Sequence, residues 1–232
     1  MTKTTTKTTT KKTSAVIFDI DGTLVDSNDK HTDCWLAAFA HFGKQLERDT
    51  VRHSIGKGGD LLVPDLLVAK EMRGFGEELK KYRSKLWKDE YMESVQPFDG
   101  VVESLHALHE RGLELAFASS SNENEVEYYV ELLGAGPLLK GSTSKGDASM
   151  SKPSPEIFEA ALERVKSDPA QTIVVGDTPY DVLAAHRVPL AIAAVLCGGF
   201  ERELLAKAEF LFADVPQMVK EIDRIDEYFA HD

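Results

Sequence analysis

Five short, unbroken apolar runs constrain this chain more than any other feature. They are Ala15-Val16-Ile17-Phe18, Leu115-Ala116-Phe117-Ala118, Thr172-Ile173-Val174-Val175, Leu190 to Val195, and Phe210-Leu211-Phe212. Runs this short do not make stable helices, and a half-exposed strand would alternate polar with apolar. Continuous runs of three to six residues suit strands buried on both faces of a parallel sheet. Helical patterns lie between them: Val101–Glu110, Asn122–Leu133, Ser154–Val165, Tyr180–His186 and Val215–Tyr228. Strand and helix alternating in this way predict an α/β fold with a doubly wound parallel sheet.

Residues 28–95 interrupt that rhythm. They carry no strand pattern and read as helices over Asp29–Phe42, Arg48–Ser54, Asp60–Met72 and Phe75–Val95, with breaks at Gly56–Gly59 and Gly74–Gly76. The expected organisation is a catalytic core of residues 14–25 plus 98–232 and an inserted α-helical cap of residues 26–97. Hinges are expected at Val25–Ser27 and Gln96–Gly100. Residues 1–13 are Thr- and Lys-rich, cannot bury a core, and are expected to be a disordered tail.

The net charge of −12 bears on partners. Four lysines and no acid fall in the first thirteen residues, so the remainder is more acidic still. An acidic body repels nucleic acid and anionic membranes, and no apolar run reaches the ~20 residues a membrane span requires. The two cysteines, Cys34 and Cys197, form no CxxC pair, which fits free thiols in a reducing cytoplasm. Assembly is left open between monomer and homodimer.

Ligands of open α/β sheets bind beyond the carboxyl ends of the strands. The first run ends at Asp19, with Asp21 two residues on. The second ends at Ser119-Ser120-Ser121. The third ends at Gly176-Asp177, with Asp181 four residues later, and Lys152-Pro153 lies between the last two. Clustered carboxylates need a cation among them or raised pKa values. Hard oxygen donors suit Mg²⁺, while hydroxyls, a helix start and a lysine ammonium suit phosphate oxygens.

Taken in order, Asp19-Ile20-Asp21-Gly22-Thr23, Ser119, Lys152-Pro153 and Gly176-Asp177-Thr178-Pro179-Tyr180-Asp181 resemble the four motifs of the haloacid dehalogenase superfamily in its phosphatase form. The resemblance extends over residues 14–230, with a helical cap after the first motif as in the β-phosphoglucomutase and phosphoglycolate phosphatase branch. It implies a small phosphorylated metabolite as substrate and Mg²⁺ as cofactor. Asp19 would be the nucleophile and a metal ligand. Asp21 would be the acid–base, binding the metal through its carbonyl. Ser119, Ser120 and Gly22 would contact the phosphoryl group, Lys152 would neutralise it, and Asp177 and Asp181 would complete the metal set. In the cap, Arg52, His53 and Lys57 flank the Gly56–Gly59 turn and are candidates to contact the substrate.

Other residues have plainer expectations. His31 reads as a surface histidine, Lys145 as a solvated loop lysine, and Phe75, Trp87, Tyr91 and Met92 as packing of the cap. A phosphosugar mutase is the second reading. Phosphonate cleavage through a Schiff base on Lys57 and a catalytically silent binding module stand behind it.

Overall fold

The computed structural model describes residues 12–231. Most of the expected tail lies outside the described residues. Its last two positions are tied down: the Thr13 amide donates to Asp226 at 2.9 Å, and the Lys12 carbonyl accepts from Gln171 Nε2 at 3.1 Å.

Six parallel strands form one sheet in the order β3-β2-β1-β4-β5-β6. The strands are β1 (Ala15–Phe18), β2 (Glu114–Ala118), β3 (Leu139–Thr143), β4 (Thr172–Gly176), β5 (Ala191–Val195) and β6 (Phe210–Phe212). The register runs straight across the centre, with Phe18 opposite Phe117 on one side and Val175 on the other. β1 is central because it is buried on both faces. Val16 and Phe18 enter one apolar cluster, and Ala15 and Ile17 enter the other.

Helices cover both faces. α5 (Val101–Glu110), α6 (Glu123–Leu132), α9 (Val215–Lys220) and α10 (Ile222–His231) pack on one, and α7 (Glu156–Val165) and α8 (Pro179–Arg187) on the other. The expected strands and the helices between them are present. The Val215–Tyr228 helix is broken in two at Glu221. β3 had no apolar signature: its sequence Leu-Lys-Gly-Ser-Thr belongs to an edge strand, where one side needs no apolar cover.

Between β1 and α5 lies the helical insert, comprising α1 (Asn28–His41), α2 (Arg48–Arg52), α3 (Gly59–Leu66) and α4 (Ala69–Leu86). It has its own apolar centre of Trp35, Phe39, Val51, Leu62, Val63 and Leu79. The two connecting segments run side by side, with the Asp26 amide donating to the Gln96 carbonyl at 2.9 Å and the Phe98 amide to Leu24 at 3.0 Å. The break between the later helices falls at Leu67–Val68, and Gly74 and Gly76 sit inside α4. A single glycine costs a helix only about 1 kcal/mol, which the packing of Leu79 and Phe75 outweighs. Trp87, Tyr91 and Met92 do not pack the insert's centre as expected. They pack against the sheet-side cluster, where a π-helical turn over Trp87–Tyr91 carries the chain back to the core.

Candidate active site

The chain leaves β1 for one side of the sheet and, after β3, returns to the other, so a crevice opens where β1 and β4 separate. Asp19 and Asp177 leave those two strand ends. The Asp19 amide donates to the Val175 carbonyl at 2.8 Å, which fixes it at the carboxyl edge. Lys152 is fully buried, and its ammonium contacts the Asp19 carboxylate, the Asp181 carboxylate at 2.8 Å and the Ala118 carbonyl at 3.0 Å. Asp181 is otherwise held by the Thr178 amide at 3.0 Å and hydroxyl at 2.6 Å, in a capping box at the start of α8. Thr23 and Asn28 donate to the two Asp177 oxygens at 3.2 and 2.7 Å.

One ammonium does not balance this corner. Burial raises the Asp19 carboxyl well above its ordinary value; Lys152 opposes that, and Asp181, Asp177 and Asp21 add to it. Asp177 is pushed up to about 7, by burial first and then by repulsion from Asp181. Lys152 is held above the usual lysine value, because Asp181 and Asp19 outweigh the cost of burying it. Oxygens of Asp19, Asp177 and Asp181 lie within 4.8 Å of one another. An all-carboxylate donor set with unbalanced negative charge fits a hard divalent cation.

Opposite this corner, Ser119, Ser120 and Ser121 line a cleft of about 160 Å³ together with Asp19 and Asp21. Ser119 Oγ accepts from the Ser121 amide at 3.0 Å, and Ser120 Oγ accepts from the Lys152 amide at 3.4 Å. Asn122 caps α6 immediately beyond by accepting from the Glu125 amide at 3.1 Å.

Asp21 turns the other way. Its Oδ1 accepts from Ser27 Oγ at 2.7 Å and meets His31 Nε2 at 2.8 Å, and its Oδ2 accepts from Ser121 Oγ at 3.2 Å. Burial works to raise this carboxyl, but His31, Ser27 and Ser121 outweigh it and bring it to about 2. The Asp21 side chain is therefore separate from the carboxylate trio.

His31 is buried, which corrects the surface assignment. It stacks on Trp87 with ring centroids 3.7 Å apart, and Arg83 donates to its Nδ1. Arginine has no acceptor, so this contact leaves the Nε2–H facing Asp21. Glu125 lies alongside, with its carboxylate 3.9 Å from His31 Nε2. Burial raises it to about 7, with Arg83 opposing and Asp21 reinforcing.

The three cap candidates part company. Lys57 lines the cleft but is paired with Asp65 at 2.6 Å over the Tyr180 ring. Arg52 donates to the Gly198 carbonyl and lies over the Phe200 ring, away from the cleft wall. His53 is exposed there; its Nδ1 meets the Asp49 carbonyl at 2.7 Å, and only its backbone carbonyl reaches the core, accepting from Tyr180 at 2.7 Å. Gly22 adopts φ +76° beside Asn28 and Asp177, where a Cβ would fall 2.0 Å from Asn28 Nδ2. Its role is to admit that close approach, since it does not line the cleft. Lys145 is no free loop lysine: it lines the cleft and pairs with Asp60 at 3.2 Å. Sequence reading passed over Asn28, which follows the first motif by five residues and could have been found only as a polar residue at a helix start.

An open α/β sheet with this carboxylate corner defines a hydrolytic class of enzyme, and the comparisons agree. Residues 16–195 match the haloacid dehalogenase-like hydrolase family, and the chain belongs to it. It is 28% identical over 209 residues to validoxylamine A 7'-phosphate phosphatase of Streptomyces hygroscopicus subsp. limoneus, covering 87% of this chain and 94% of that one. It is 30% identical over 190 residues to phosphoglycolate phosphatase 1 of Pseudomonas aeruginosa, covering 79% and 69%. The solved structure of a hydrolase from Pseudomonas syringae superimposes with a TM-score of 0.82 at 25% identity, covering 91% of this chain and 99% of that one. No helix among the described residues is long and apolar enough to cross a membrane.

Proposed function

We propose that this enzyme is a Mg²⁺-dependent phosphatase of a small phosphate monoester, working in a reducing cytoplasm through an aspartyl phosphate on Asp19. The observation that carries the reading is the contact of Lys152 with Asp19 and Asp181 at the strand ends, facing three serines. A carboxylate so placed can attack phosphorus and accept the phosphoryl group covalently.

Each residue then has a defined task. Ser119 Oγ and the amides entering α6 hold phosphoryl oxygens, and Lys152 offsets their charge beside the nucleophile. Asp21 passes a proton to the leaving oxygen and takes one from the water that hydrolyses the acyl phosphate. Its low value favours the second task, because an ionised carboxylate accepts a proton from water more readily than it supplies one. His31, Ser27 and Ser121 aim it. Asp19, Asp177, Asp181 and the Asp21 carbonyl would hold Mg²⁺, which when bound neutralises phosphoryl charge.

In this reading residues 26–97 are a cap over the core of 14–25 and 98–232, and specificity lies where the cap lines the cleft. Phosphate release from a panel of phosphorylated metabolites, with and without Mg²⁺, tests the proposal. Metal-dependent release from one compound far above the others supports it. Bisphosphate-primed isomerisation of a sugar phosphate without phosphate release would replace it with the mutase.

A further inference from the structure

Lys152 is positioned partly from outside the core. The residue before it, Ser151, donates its amide to Asp60 Oδ2 at 3.1 Å and its hydroxyl to Asp60 Oδ1 at 2.6 Å. Asp60 is the second residue of α3, in the helical insert. The same Oδ1 receives Lys145 at 3.2 Å, so one insert carboxylate collects three donors from the core loop that precedes Lys152. Burial opposes the charge on Asp60, but the two bonds from Ser151, with Lys145, outweigh it and hold its carboxyl below the ordinary value.

The backbone is shaped for this contact. A Cβ on Gly58 would fall 1.9 Å from Ser151 Oγ and 2.5 Å from Asp60 Oδ1. Its φ of −69° is open to any residue, so the demand is for space alone. The other contacts of the insert's glycine turn with the core hold backbone or reach a ring: Tyr180 to the His53 carbonyl, Arg52 to the Gly198 carbonyl, Lys57 over Tyr180. Only the Asp60 contact ends one residue from a group that touches the nucleophile.

We propose that Asp60 is a positioning residue that latches the insert onto the Ser144–Lys152 loop and sets Lys152 against Asp19 when the insert is closed. The latch rests on the phosphatase reading for its kinetic meaning but not for its geometry. Breaking it leaves Lys152 in place chemically while loosening its loop. The expected result is a lower kcat with Asp19 and Mg²⁺ still required.

The test is a double-mutant cycle on Asp60→Ala and Ser151→Ala, read as kcat and KM, beside amide exchange of residues 144–154 in the absence of substrate. Hydrogen bonds to a charged acceptor of this kind are worth roughly ten- to hundredfold, and that loss in kcat is expected for Asp60→Ala. The double variant should lose little more than Asp60→Ala alone. Asp60→Asn should recover only part of the rate, since its amide faces a Ser151 donor. Exchange in the loop should accelerate in Asp60→Ala even if the wild type hydrolyses no phosphoester tested, which separates the two proposals. Additive effects in the cycle, or unchanged exchange in the loop, overturn the latch.

Discussion

The two carboxylates that follow β1 stand two residues apart in opposite surroundings. Asp19 belongs to a corner built from the core apart from one insert donor, Asn28 on Asp177; burial and three neighbouring carboxylates raise Asp19 and a single ammonium resists. Asp21 belongs to the seam between core and insert, where donors surround it and bring it to about 2. The difference divides the work. The first corner is overcharged and takes up positive charge, from a proton or a cation. The second is electrically satisfied and holds one carboxylate ionised and aimed.

The strongest way to break the contrast is to remove the proposed nucleophile, Asp19. Asp19→Asn should lower kcat by at least about 10⁴-fold, as loss of a covalent catalyst does, while the metal-free protein keeps its fold. Lys152→Ala should abolish activity too, but at a cost in stability. It leaves buried carboxylates uncompensated, an effect of roughly 3–5 kcal/mol when one partner of a buried pair is removed. Thermal unfolding of the two variants side by side checks the distinction.

A third experiment reads the overcharged corner directly. Asp177 titrates near 7 when folded against an ordinary 3.8, so between those values the folded state holds a proton the unfolded chain has released. Its contribution is therefore fully present below about pH 4 and lost as pH rises to about 7, by up to about 4 kcal/mol. Asp19 pushes the same way. Metal-free protein should melt at lower temperature at pH 8 than at pH 5.5, and Mg²⁺ should raise the melting temperature more at pH 8. Unfolding scans at both pH values decide it.

The smallest effect belongs to the seam. His31→Ala removes a donor from Asp21, so the Asp21 carboxyl should rise and the acidic limb of the kcat/KM profile should move to higher pH. A loss of roughly tenfold at neutral pH is expected, a fraction of what a full general acid–base contributes. An unshifted limb would show that the histidine packs against Trp87 without aiming Asp21.

How far each region could be read in advance follows from its construction. Asp19, Ser119 and Asp177 each end a buried strand, and a doubly wound sheet brings such ends together whatever the loops do. The seam joins His31 to Asp21 across ten residues and Ser121 to Asp21 across a hundred. Neither pairing has a period or motif: the first depends on how the insert docks, and the second joins two core loops far apart in the chain. His31 reads as a surface residue because it stands among the charged Asp29, Lys30 and Asp33, and its cover by Trp87 and Arg83 comes from the far end of the insert. Asp60 went unread for the same reason, as its partners Lys145 and Ser151 lie 85 and 91 residues away in the segment before Lys152. β3 was missed because an edge strand needs little apolar surface, and helix breaks in the insert were misplaced because Gly74 and Gly76 tolerate a helix that packing holds.

The most direct test of the account is rapid acid quenching during turnover with Mg²⁺, followed by mass analysis of the peptide that carries Asp19. A phosphoryl group on that peptide in the wild type, absent from Asp19→Asn, is the predicted result. Full turnover by Asp19→Asn with no phosphorylated peptide in either protein would contradict it.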